Sequence, residues 1–135
     1  MPAFLFLLFL AAPLHAQVRW GARVGVVDGD PMIGGDMIVV LGNGFIFNPN
    51  VELSSNVVST NADFHYDIEI GRDAAFWIGA GVALINPEGQ DLDAGVNVLA
   101  GLGTRRARRI LYTQLKITSP ADYDSYTSFA FGIRF

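Results

Sequence analysis

From position 17 to 135 apolar residues recur at every second position, in runs broken by clusters of Gly, Pro, Asn and Asp. No long stretch shows helical spacing, and none holds 18 consecutive apolar residues. Period-two alternation between turn-forming clusters is the signature of strands and turns. The pattern predicts eight strands: Val18 to Val27, Gly35 to Leu41, Phe45 to Leu53, Val57 to Ile70, Ala75 to Ile85, Leu92 to Gly103, Arg109 to Thr118 and Tyr126 to Phe135. No segment is left over for a second domain.

Successive side chains on a strand point to opposite faces, so each run can be split by parity. In "TNADFHYDIEI", Asn61, Asp63, His65, Asp67 and Glu69 share one face, and Ala62, Phe64, Tyr66, Ile68 and Ile70 share the other. The same division holds along the chain. One face carries Val18, Trp20, Val24, Met37, Val39, Phe45, Val51, Val82, Val98, Leu115 and Phe131, and its only charged member is Arg109, which opens its strand. The other carries Arg19, Arg23, Asp36, Asn48, Asn50, Glu52, Asp93, Asn97, Gln114, Lys116 and Arg134 beside Asn61 to Glu69. Pro49 predicts that the third strand is short or bent there.

Which face turns inward decides the class. A soluble barrel would bury the apolar face, whereas a membrane barrel turns it to lipid and packs the polar face inside. The polar face also holds Gly21, Gly25, Gly79, Gly81, Gly95, Gly101, Gly103 and Gly132. Glycine weakens a solvated strand, but inside a closed eight-stranded barrel it leaves room for long charged side chains. The expected fold is therefore all-β: a closed antiparallel up-and-down eight-stranded transmembrane β-barrel.

Connections and depth point the same way. With Gln17 placed in the periplasm, the external connections read "DGDPMIG" (Asp28 to Gly34), a tight link near Ser54 to Asn56, "NPEGQD" (Asn86 to Asp91) and "PADYDS" (Pro120 to Ser125). The periplasmic turns read "GNG", "GRDA" and "TRRAR" (Thr104 to Arg108). The external set is longer and acidic through Asp28, Asp30, Glu88, Asp91, Asp122 and Asp124; the periplasmic set is basic. Trp20, Phe45, Phe47, Tyr66, Phe76, Phe131 and Phe135 fall toward the periplasmic ends of their strands, as an interfacial girdle requires.

Composition agrees. At 51% hydrophobic and 16% charged residues, the chain is more apolar than a soluble domain of its size needs to be. Its net charge of −4 and short "RRARR" cluster exclude a nucleic-acid partner. The absence of cysteine excludes disulfides, thiolate metal sites and a lipid-modified cysteine. The first residues, "MPAFLFLLFLAAPLHAQ", hold an apolar run too short to span a bilayer as a helix, then Pro13 and the small Ala16. They are expected to be a secretory signal peptide over residues 1–16, leaving the barrel domain at 17–135.

"YTSFAFGIRF" resembles the carboxy-terminal strand of bacterial outer-membrane β-barrels. Together with "FIFNPNVEL", "NADFHYDI", "WIGAGVALI" and "AGVNVLAGLG", it is similar to the small outer-membrane β-barrel domain family of OmpX-like and OmpA-type eight-stranded barrels. The resemblance covers residues 17–135. It implies location in the bacterial outer membrane, contact with outer-membrane lipid, and recognition by the barrel-assembly machinery of a last strand ending in Phe135. It implies no single activity, because the fold hosts several.

Candidate chemistry is sparse. His65 is the one histidine beyond the signal segment, and its parity is that of the lumen rather than of the bilayer where a lipid-modifying site would lie. Asp63, His65 and Asp67 are half a metal site at most, because i, i+2 and i+4 on one strand spread over ~13 Å. No catalytic, cofactor-binding or metal residues are assigned, and no enzyme or cofactor is expected. The expected function is that of a small monomeric outer-membrane protein with a structural or surface-contact role and no wide pore. The alternative is a secreted soluble barrel that binds a small hydrophobic ligand, in the manner of lipocalins.

Overall fold

A computed structural model describes residues 17–87 and 89–135; the expected signal peptide and Glu88 lie outside the described residues. Eight strands run β1 Val18–Val27, β2 Asp30–Gly42, β3 Phe45–Ser54, β4 Val57–Glu69, β5 Ala74–Pro87, β6 Asp93–Arg106, β7 Arg109–Pro120 and β8 Tyr126–Arg134. Each pairs antiparallel with its sequence neighbour, and β8 returns to β1 to close the barrel. Closure leaves no edge strand with unpaired backbone groups. Gly21 opposes Arg134 and Val27 opposes Ser128 along the seam, and the Phe135 amide donates to the Trp20 carbonyl at 2.8 Å. The closure expected of an up-and-down barrel is thus made by Gly21 to Val27 against Ser128 to Arg134.

Register fixes the barrel's dimensions. A path followed across paired residues runs Val18, Val39, Phe47, Phe64, Ala80, Val98, Ile117, Thr127 and returns to β1 at Asp28, whose amide donates to the Thr127 carbonyl. The return lies ten residues along β1 from its start. With eight strands, that stagger tilts them about 40° from the barrel axis and leaves a lumen that side chains can fill.

The start of β1, the end of β8 and the β2–β3, β4–β5 and β6–β7 turns lie at one end of the barrel, here proximal; the other four connections form the distal mouth. The structure shortens the first of these. Residues expected to form the loop Asp28 to Gly34 are a two-residue turn at Asp28 and Gly29, followed directly by β2. Both turn residues have positive φ, 47° and 87°, the conformation in which a two-residue hairpin matches strand twist and for which Asp-Gly is suited. Pro31 and Met32 then continue the alternation as paired strand residues. The acidic, proline-containing stretch looked like a loop because its polarity outweighed its parity. The longer distal connections are therefore only the third and fourth. At the proximal end, the expected turn Thr104 to Arg108 shrinks to Ala107 and Arg108, and Arg105 and Arg106 extend β6.

Parity sorts as expected. Trp20, Val24, Ile33, Phe45, Val82, Val96, Val98, Phe131 and Phe135 are all more than half exposed on the outer wall, Val98 at 63%. Arg23, Asp36, Glu52, Asp63 and Lys116 are buried in the lumen, all at 5% or less. Met37 and Val39 share the outward parity through their pairing with Trp20 and Val18 but are themselves buried. At Pro49 the β2–β3 ladder is interrupted between Asp36–Asn50 and Val39–Phe47, as expected of a residue without an amide hydrogen.

Candidate functional site

The lumen is a stack of layers. Nearest the distal mouth, Val27, Met32, Ala83, Ile85, Tyr126 and Ala130 form an apolar plug. Below it lies a polar layer in which three cations meet three carboxylates. Arg23 donates to Asp36 (2.9 Å) and Glu52 (3.0 Å), Lys116 bridges Glu52 (3.2 Å) and Asp63 (2.9 Å), and Arg134 donates to Asp36 through both Nε and Nη2 (3.0 and 2.8 Å). Amides add further donors to the network, although Asp36 Oδ1 is buried without a hydrogen-bond partner. Asn48 donates to Asp36, Asn50 and Asn97 donate to Asp63, and Asn61 donates to Asn50. A buried charge left unpaired costs several kcal/mol, so this balance is what allows a polar lumen to exist. Deeper still, Trp77, Leu99 and Tyr112 form a second apolar cluster. The Arg134 guanidinium lies 4.0 Å from the centre of the Tyr112 ring.

The inward glycines explain how so much fits. Gly21 is paired across the strand with Asp36, Gly34 with Arg23, Gly79 with His65, Gly81 with Asp63, Gly101 with Trp77 and Gly132 with Tyr112. A Cβ on Gly101 would fall 2.2 Å from the Trp77 ring, and one on Gly132 would fall 2.2 Å from the Tyr112 ring. Each bulky inward side chain lies over the bare backbone of its partner. Room for charged side chains was expected from the sequence; the two rings were not. Their signal was available, since each is an aromatic of inward parity with a glycine directly opposite.

Of the cations on the polar face, Arg23, Lys116 and Arg134 pair with lumenal acids, but not every residue of that face does so. Arg19 is half-buried and donates to the Arg108 carbonyl (2.8 Å) rather than to an acid. Asp67 takes up His65 Nδ1 at 2.9 Å, and Glu69 is exposed at the proximal rim. These positions have lumenal parity but lie at strand ends, beyond the packed ionic layer. The half metal site is likewise divided: Asp63 is engaged by Lys116, Asn50 and Asn97, whereas His65 stacks on Trp77 with ring centres 5.3 Å apart.

The distal mouth is an open concavity. Its volume is about 490 Å³. The floor is Val27, Val57, Ile85 and Tyr126, and the rim carries Asp28, Asp30, Asn56, Gln90 and Asp124. Polar ties join the hairpins around it: Asn56 donates to Asp30, Thr127 to Asp28 (3.0 Å), the Asp122 amide to Asp93 (2.8 Å) and Tyr123 to the Asp91 carbonyl (3.3 Å). No Lys or Arg is found at this end. The arrangement is a shallow apolar bowl with an acidic rim, closed below by packed side chains.

This combination of closed eight-stranded sheet, polar packed lumen and apolar outer wall is the fold of the small outer-membrane β-barrels. Among solved structures, the chain is similar to the N-terminal β-barrel domain of Pseudomonas aeruginosa OprF, with a TM-score of 0.73 at 16% identity over 90% of this chain and 100% of that one. It is similar to Neisserial surface protein A (TM-score 0.70, 13% identity, 87% and 94% covered) and to the outer membrane enzyme PagL (0.59, 12%, 87% and 98%). No protein-family model and no curated protein matches the sequence. At these identities the likeness establishes the fold, not an activity.

Proposed function

We propose that the protein is a small integral protein of the bacterial outer membrane, monomeric and non-catalytic, with a structural or surface-contact role. The observation that carries this reading is the outer wall. Large apolar side chains stand exposed on all eight strands, from Trp20 and Ile33 around to Leu115 and Phe131. That far exceeds the isolated patches a soluble monomer leaves in water. Such a wall is stable only in hydrocarbon, where a closed barrel is one of the two structures that satisfy every backbone group.

The lumen offers neither a wide pore nor an apolar ligand cavity, because charged and aromatic side chains fill it. That argues against the lipocalin-like alternative. PagL carries its activity on the same fold, yet His65 here turns into the lumen, and among the described residues its side chain is hydrogen-bonded only to Asp67. The surface left for contact is the distal bowl with its tied, acidic hairpins. Cell fractionation with gel mobility tests the reading. Recovery in the outer membrane, extraction only by detergent and a heat-dependent shift in migration are expected; release with the soluble periplasm would contradict it.

A further inference from the structure

Every cation that is not buried in the lumen lies at the proximal rim: Arg19, Arg72, Arg105, Arg106, Arg108 and Arg109. Two of these are placed differently from the others. Arg106 and Arg109 are directly paired across the β6–β7 hairpin. They share the outward parity of Leu102 and Leu111, both of them exposed wall residues. Like charges directly opposite on paired strands repel, their Cβ atoms being only about 5 Å apart. No carboxylate relieves the repulsion, for neither arginine is in an ion pair among the described residues. Arg109 instead stacks its guanidinium 5.7 Å from the centre of the Phe135 ring. Phe135 is exposed and bonded at its backbone to Trp20, so the pair stands at the aromatic girdle where the apolar wall ends.

Two exposed guanidiniums without a carboxylate partner, at the junction of hydrocarbon and water, favour an anion from outside the chain. A phosphate diester held between them would accept bidentate hydrogen bonds from both planar forks while its acyl chains lay along Leu102 and Leu111. We propose that Arg106 and Arg109 form a site for the phosphate of an anionic glycerophospholipid in the proximal leaflet, a proposal that rests on the membrane reading above. The hairpin turn supports it. Ala107 adopts φ of 55°, which folds the strand ends back in two residues and keeps both arginines on one face.

The test uses the full chain in nanodiscs of equimolar phosphatidylcholine and phosphatidylglycerol, with the lipids that leave bound to the barrel counted by native mass spectrometry. The wild type should retain phosphatidylglycerol over phosphatidylcholine at a ratio of about thirty to one, from roughly 1 kcal/mol for each of the two basic residues near an anionic surface. R106Q/R109Q should return the ratio to that of the bilayer, whereas Arg72→Gln, on the neighbouring proximal turn, should leave it unchanged. If the double variant does not fold, the wild type still decides: the enrichment must fall with added sodium chloride and must survive millimolar inorganic phosphate. Retention by R106Q/R109Q, absence of enrichment in an inserted wild type, or displacement by inorganic phosphate would each overturn the proposal. Failure of the wild type to insert at all would instead contradict the membrane reading itself.

Discussion

At the residue scale, Asp36 concentrates the interior electrostatics. Its Oδ2 accepts hydrogen bonds from Arg23, Arg134, Asn48 and Tyr112, joining β1, β8, β3 and β7 through one carboxylate on β2. Removing that charge leaves two buried guanidiniums short of a partner. Asp36→Asn should therefore destabilise the barrel by about 3–5 kcal/mol, seen as a lower midpoint of thermal unfolding in detergent. Asp28→Asn, at the water-exposed mouth, should move the midpoint little. An Asp36→Asn barrel as stable as wild type would show that the network is not balanced as described. The parity of Asp36 could be read from the sequence; its partners could not. Arg134 lies 98 residues away, and only the stagger of the closed sheet brings the two together. The same stagger carries Glu69 to the rim, which is why alternation alone overestimated the ionic lumen.

At the scale of strands, the outer wall was legible because lipid imposes one rule on every position, whereas the interior depends on which residues oppose one another. Glycine opposite a bulky inward residue recurs on the β1–β2, β4–β5, β5–β6 and β7–β8 ladders. Gly101→Val should thus displace Trp77 and break its bond to Gln114 (3.2 Å), lowering folding yield into lipid vesicles and the unfolding midpoint. Ala100→Val, one residue away on the outer wall, should fold normally. Equal tolerance of both would indicate that the lumen is looser than the packing of Trp77 requires. The hairpin at Asp28 and Gly29 departs from the expected loop for a related reason. Its polar residues suggested a loop, although Asp-Gly at a strand boundary is the strongest short hairpin signal, and Met32 resumes the inward face immediately after it.

At the scale of the whole molecule, charge separates along the axis: an acidic distal mouth, a balanced lumen and a proximal rim bearing the arginines outside the lumen. The seam between β1 and β8 closes the sheet, and Phe135 both anchors to Trp20 and continues the aromatic girdle. Deletion of Phe135 should reduce the amount of assembled, heat-modifiable barrel in cells by more than the loss of one apolar contact explains, if the last strand also serves as an assembly signal. Normal surface levels would oppose that role. The central claim is that the apolar parity faces hydrocarbon. Because the native chain has no cysteine, single cysteines carrying a nitroxide can be placed at Val82, Val98 and Leu115, all exposed on the outer wall, and at Asp28 on the mouth. In bilayers, electron paramagnetic resonance should find the first three accessible to oxygen and shielded from a water-soluble nickel complex, with the order reversed at Asp28. Nickel access at Val82, Val98 and Leu115 equal to that at Asp28 would place the wall in water and contradict the account.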